Sequence, residues 1–380
     1  MRYISQLLFL AALVLGFIAC NKVDDLPFYK NGTAPVLTAS ANSVAPAPAD
    51  SNNTALTLNW SDAKYATDSS SVKNIIEIDS AAKNFTNKYA KTVTGSLSAS
   101  FTAKEINTIL LDKGYSIGVP VDMDVRVISS YANNNERLTS NTVTIKMTPY
   151  KVPPKIALPE SGKLFIVGSA TTGGWNNPVP APSQELAQID ETTFGGIFQL
   201  NGGQEYLLLP VNGDWGHKYS VADKTAAGLN EGGDFGYDLS DNFPAPATSG
   251  LYKIIVDFQT AKFSVTPYTG VLPDSLFIVG DATAGGWNNP VPVPSQQFTR
   301  DNSSVFEITL PLTGGKQYLF LPMNGDWSHK FAVADKSVPG LSEGGDFGYD
   351  LSDNFPAPAA DGTYKIVVNF VTGKFTLTKQ

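Results

Sequence analysis

The chain has 380 residues, is 42% hydrophobic with 33 Gly and 25 Pro, and carries a formal net charge of −8. That length holds about two to four domains, and the composition is that of a turn-rich globular chain rather than a disordered one. The acidic balance, with no run of Lys and Arg, argues against a nucleic-acid or anionic-lipid surface and points to a neutral partner.

Met1-Arg2 is a short positive start, and Leu7 to Ala19 is an apolar run. The run is too short for a permanent span, so residues 1–19 read as a secretory signal. Phe17-Ile-Ala-Cys20 resembles a bacterial lipobox, which makes Cys20, the only cysteine, the candidate for lipidation. With no second cysteine there is no internal disulfide, and the exported domains must rely on their cores. Residues 20–34 read as a lipidated tether. Its acidic start, Asn21-Lys-Val-Asp-Asp25, resembles the export signals that send lipoproteins to the surface of Bacteroidota-type bacteria.

From 35 to 150 the pattern changes to short alternating strands. Leu56-Thr-Leu-Asn-Trp60, Ile75-Ile-Glu-Ile-Asp79, Val125-Arg-Val-Ile-Ser129 and Thr142-Val-Thr-Ile-Lys146 set apolar against polar residues at period two. One helix is expected: Thr102-Ala-Lys-Glu105 is a capping box, Ile106, Ile109 and Leu110 form an apolar face, and Gly114 stops it. Strands at this spacing around a buried Trp60 suggest an immunoglobulin- or fibronectin-like sandwich acting as a spacer. The proline-rich stretch 151–160 reads as a stiff joint.

The rest of the chain is one domain written twice, over 161–270 and 271–380. Leu164-Phe-Ile-Val-Gly168 returns as Leu276-Phe-Ile-Val-Gly280, and Glu231 to Ala247 returns letter for letter as Glu343 to Ala359, each pair 112 residues apart. Leu251 to Phe258 and Thr363 to Phe370 alternate strongly. Each is followed by a tight turn and a second strand, Phe263 to Thr266 or Phe375 to Thr378, which predicts a hairpin. No segment has a helical period, so each copy reads as an antiparallel β-sandwich with long loops. The joint at Thr269-Gly-Val-Leu-Pro273 is short, which predicts beads with limited play.

The loops hold what the strands do not. Gly173-Gly-Trp-Asn-Asn-Pro178 and Asn212-Gly-Asp-Trp-Gly-His-Lys218 return as Gly285-Gly-Trp-Asn-Asn-Pro290 and Asn324-Gly-Asp-Trp-Ser-His-Lys330. The tryptophans are flanked by Gly, Asn, Asp and Pro, so they sit in turns. A flat ring held on a rigid turn suits stacking on the apolar face of a sugar, with neighbouring amides, Lys and Asp for its hydroxyls. The competing reading makes each ring a core plug beneath its loop.

A lipobox signal, a fibronectin-like leading domain and tandem domains opening with a Leu-Phe-Ile-Val-Gly strand and a Gly-Trp turn resemble the SusE/SusF family of surface starch-binding lipoproteins. The resemblance implies an all-β chain: a leading immunoglobulin/fibronectin-like sandwich and two β-sandwich carbohydrate-binding modules. It also implies an outer-membrane address, a polysaccharide ligand of α-glucan type, and a SusC/SusD-type uptake complex as neighbour. The family's aromatic cradle matches Trp175 and Trp215 in the first repeat and Trp287 and Trp327 in the second, with Lys218 and Lys330 as basic partners. No arginine holds a matching place in both repeats; Arg300 stands in the second alone, aligned with Gln188.

Three other constellations are weaker. Glu231, Asp234, Asp238 and Asp241, with their copies Glu343, Asp346, Asp350 and Asp353, match no defined calcium loop, and no metal site is expected. As acid and base of a glycosidase they would need one cleft with two carboxylates across a sugar bond, twice over in one chain. His217 and His329 lack the company of a zinc site and read as hydrogen-bonded loop histidines. The expectation is therefore a non-catalytic glycan-capturing lipoprotein without cofactor, the alternative being an adhesion or protein-docking lipoprotein with no glycan site.

Overall fold

The computed structural model describes residues 31–66 and 68–380. The signal, Cys20 and the first part of the tether lie outside the described residues. The chain divides between Pro153 and Pro154 into two compact units.

The leading unit is a sandwich of a three-stranded and a six-stranded sheet. Thr54–Trp60 is the centre of the first, and Lys73–Ser80 pairs with Val121–Ser130 over eight residues in the second. Their inward residues, among them Leu56, Leu58, Ile76, Ile78, Val125 and Val127, build one core, and Trp60 is 4% exposed within it. The helix runs Ala103–Asp112. Thr102 accepts from the Glu105 N–H while Glu105 accepts from the Thr102 N–H, the reciprocal cap expected of that tetrapeptide.

This unit also buries a carboxylate. Glu77 is 2% exposed and takes Lys88 Nζ at 2.7 Å and Arg126 Nη2 at 2.7 Å. Burial alone would push its pKa up. The hydrogen bonds and charges of Lys88 and Arg126 outweigh that and hold it below the ordinary Glu value. A depressed carboxyl contributes stability that is complete above its ordinary pKa and is lost as pH falls through the lowered one. Glu77→Gln is predicted to destabilise the leading unit by about 2 kcal/mol at neutral pH, discounted for the part-exposed partners. In thermal melts the gap to wild type should narrow as the pH is taken down through the carboxyl range; a gap that does not change with pH contradicts the assignment.

The second unit holds both repeats, each with its own sandwich and core. In the first, Thr193–Leu200 pairs along its full length with Gly250–Asp257, which pairs onward with Lys262–Pro267. Glu205–Leu209 pairs with Leu164–Val167 on the other side of the core. The second repeat has the same pairings with Val305–Leu312, Gly362–Asn369, Lys374–Lys379, Gln317–Leu321 and Phe277–Val279. It forms two five-stranded sheets, whereas in the first repeat Glu185–Gln188 pairs with both layers and joins them into one ten-stranded sheet. No helix occurs among the described residues of this unit.

Two expectations change here. The stretch 151–160, expected as a stiff joint, is in part packed down: Ile156 and Leu158 lie on the first repeat's core, and Tyr219 Oη donates to the Ala157 carbonyl at 2.8 Å. The picture of beads also gives way, because the cores of the two repeats share residues. Ile197 of the first belongs to the core of the second, with Ile189, Leu251 and Ile255 packed against it.

Candidate glycan-binding face

In each repeat two loops are tied to one another by asparagine side chains. Gly168 and Gly174 bridge across the base of the first loop, and Gly173 N–H donates to Gln184 Oε1 at 2.8 Å. Gln184 is buried and its amide donates in turn to the Ile166 carbonyl and to Thr171 Oγ1, so it anchors the loop to the sheet. Asn212, on the second loop, accepts from Val179 N–H at 2.7 Å. Asn177, on the first, accepts from Gly213 N–H at 2.7 Å and donates to the Asp214 carbonyl at 3.1 Å. Gly174 and Gly213 have φ of +60° and +92°, so the turns that carry the rings need glycine.

Trp175 and Trp215 therefore stand side by side. Their rings are 6.5 Å apart and tilted by 39°, and they are 42% and 52% exposed. Trp287 and Trp327 are 41% and 51% exposed on the same braced loops, where Asn324 accepts from Val291 N–H and Asn289 from Gly325 N–H. The reading of these rings as core plugs is set aside: the buried tryptophan of the chain is Trp60. One brace differs between the copies, since Asn289 Nδ2 is buried with no partner where Asn177 Nδ2 has one.

Lys218 and Lys330 lie on the tryptophan loops, half-buried. The Lys218 ammonium makes no hydrogen bond among the described residues, while Lys330 Nζ reaches the Ser352 carbonyl at 3.4 Å. Arg300 is turned elsewhere. Its guanidinium donates to the Asn302 and Ser303 carbonyls, lies over the Phe306 ring and lines a cavity of about 340 Å³ between the two repeats.

The two loop histidines are hydrogen-bonded, as their sequence setting suggested, and their partners are Asp238 and Asp350. His217 Nδ1 donates to Asp238 Oδ2 at 2.7 Å, and its ring stacks on Tyr237 at 5.2 Å and 23°. His329, Asp350 and Tyr349 repeat this at 2.8 Å, 5.1 Å and 23°. Asp238 and Asp350 adopt left-handed φ of +52° and +53°, and each also accepts the N–H of the following loop lysine, Lys218 or Lys330. The hydrogen bond from His217, with that from Lys218 N–H, holds the Asp238 carboxyl below its ordinary range. This pairing fixes the imidazole with Nε2 uncommitted. The histidines and the aspartates stand out in the sequence; Tyr237 does not, although it lies beside Asp238 in the longest identical block of the repeat.

The acid-rich loops do not gather into a metal site. Asp234 pairs with Lys262 at 2.6 Å, Asp238 with His217, and Asp241 accepts from Lys224 N–H. No group of three His, Cys, Asp or Glu that could hold a metal occurs among the described residues.

Residues 22–128 match the model of the family described as SusE outer membrane protein. The matched residues fall within the leading unit. This match supports the SusE/SusF-type assignment and with it the outer-membrane address; the two repeats lie outside the matched residues. Among solved structures the chain is similar to SusF from Bacteroides thetaiotaomicron, at 16% identity over 91% of this chain and 76% of that one. The TM-score is 0.31, at which superposition fixes neither fold nor ligand. No curated protein matches the chain at a significant level.

The exposure of the rings is open to direct test. A collisional quencher such as acrylamide is predicted to reach four of the five tryptophans and to spare only Trp60. A mostly protected emission would return the loop rings to the core.

Proposed function

We propose that the protein is a non-catalytic surface lipoprotein that captures a neutral polysaccharide, of starch or α-glucan type, at two tandem sites. The observation that carries this reading is the paired, braced and exposed Trp175 and Trp215, with Trp287 and Trp327 exposed on the same loops of the second repeat. A tryptophan buries about 150–250 Å² when covered, so each half-exposed ring gains roughly 2 kcal/mol when a sugar's CH face lies on it. Beside the rings, the Asp238-oriented His217 and the Lys218 ammonium supply polar contacts to hydroxyls, as do His329 and Lys330 in the second copy.

The gain at one face barely exceeds the cost of immobilising a ligand, so a single site binds weakly. Two sites on one chain raise avidity about 10² to 10⁴-fold when one glycan reaches both. Lipid on Cys20 would hold the pair at the outer membrane, beside a SusC/SusD-type uptake complex that consumes the captured chain.

Retention on a panel of insoluble polysaccharides tests the reading. The wild type should be retained on an α-glucan. A folded W175A/W215A/W287A/W327A variant should be lost, and either pair alone should reduce retention more than tenfold. Retention on no glycan, or retention unaffected by the quadruple variant, contradicts it and turns the rings into candidates for a protein interface.

A further inference from the structure

The two repeats do not differ evenly along their length. Residues 173–180 and 285–292 are identical, as are 231–247 and 343–359. Between 185–199 and 297–311, by contrast, 14 of the 15 aligned positions differ, and only Phe194 and Phe306 agree. This divergent segment lies where the repeats touch.

The contact is built from an unfinished sheet edge. Strand Glu185–Gln188 pairs with Thr193–Leu200 only as far as Gly195, leaving the Ile197 amide without a strand partner on that side. The turn Asp301–Ser304 of the second repeat fills the gap. Ser304 Oγ accepts from Ile197 N–H at 2.8 Å, and Ser303 N–H donates to the Glu185 carbonyl at 3.0 Å. Both serines are 0% exposed, and Arg300 pins their turn by donating to the Asn302 and Ser303 carbonyls. Two glycines make the floor. A Cβ on Gly196 would stand 2.8 Å from Ser303 Oγ, and one on Gly195 would stand 2.9 Å from Val371 Cγ1.

The face on either side of that floor is chemically one-way. In the first repeat it presents Ile189, Gly195, Ile197, Leu251 and Ile255, which pack into the second repeat's core. At the same five positions the second repeat carries Asp301, Glu307, Thr309, Thr363 and Val367. Glu307 there pairs with Lys365 at 2.6 Å, and Thr309 and Thr363 are exposed. A surface that is apolar in one copy and polar in the other is what burial of one and hydration of the other require.

We infer that the repeats are locked by this dedicated seam into one rigid body, which fixes the spacing of their two tryptophan faces. The second repeat cannot accept a third in the same way, because its own floor is filled by Glu307 and Ile308. The seam, rather than the five-residue joint 269–273, then sets which glycan conformations reach both sites. That last consequence rests on the proposed glycan reading; the locking itself does not.

Hydrogen exchange on the wild-type protein tests the lock without any ligand. The Ile197 and Ser303 amides should be protected like core strands, at least 10³-fold more than those of the tryptophan loops, and the repeats should unfold in one transition. The variant I189D/G195E/I197T gives the first repeat the residues with which the second already folds. It should lose protection at both amides and split unfolding into two transitions, while affinity for a short oligosaccharide stays within twofold and polymer retention falls at least tenfold. S303E/S304T, which installs the first repeat's turn residues, should act the same way from the other side. Loop-like exchange of Ile197 and Ser303 in the wild type, or two variants that both unfold as one body at the wild-type temperature, would overturn the inference. Intact locking with no glycan retained by any form would leave the seam standing and sink the glycan reading instead.

Discussion

An indole ring held in water carries a standing cost, and the architecture of each module is arranged to keep two of them there. Asn177 and Asn212 tie the loops together, Gln184 ties them to the sheet, and glycines at positive φ shape the turns. These bonds are made before any ligand arrives, so a ligand meets rings that have already lost their freedom. Relax the braces and the rings would find apolar neighbours of their own.

The scaffold beneath has a separate task. Its strands pair over eight residues and its cores are rich in Phe and Tyr, so loop rings are not needed to fill them. That surplus of core is what lets Trp175, Trp215, Trp287 and Trp327 stay outside. The seam adds a second level of pre-organisation. It removes the freedom of one module relative to the other, as the asparagines remove the freedom of one loop relative to its neighbour. The leading unit, with Trp60 buried, shows no exposed tryptophan among its described residues.

Much of this was legible in the sequence where the signal is local. Period-two alternation located the strands Thr54–Trp60 and Gly250–Asp257, and the capping box located the helix Ala103–Asp112. Turn residues around the tryptophans marked the rings as loop-borne, but exposure itself depends on what lies underneath, which one strand of text does not contain. Asp238 reads in the sequence only as one member of an acid-rich loop, and its role as the partner of His217 is hidden because the two lie 21 residues apart. Arg300 stands out in the sequence only as an arginine that the first repeat lacks, whereas its contacts are with the turn it stabilises. The seam was hidden for the same reason: Ile189, Ile197 and Ile255 announce an apolar face, and nothing in their spacing says that the cover is a second copy.

The central claim is that the two tryptophan faces are two glycan sites on one rigid unit. Calorimetric titration of the intact protein with a soluble linear α-glucan oligosaccharide, too short to bridge, tests it most directly. The account predicts saturation at two ligands per chain, falling to one when Trp175 and Trp215, or Trp287 and Trp327, are replaced by alanine. No heat of binding across α- and β-linked oligosaccharides, or a stoichiometry unchanged by these replacements, would contradict it.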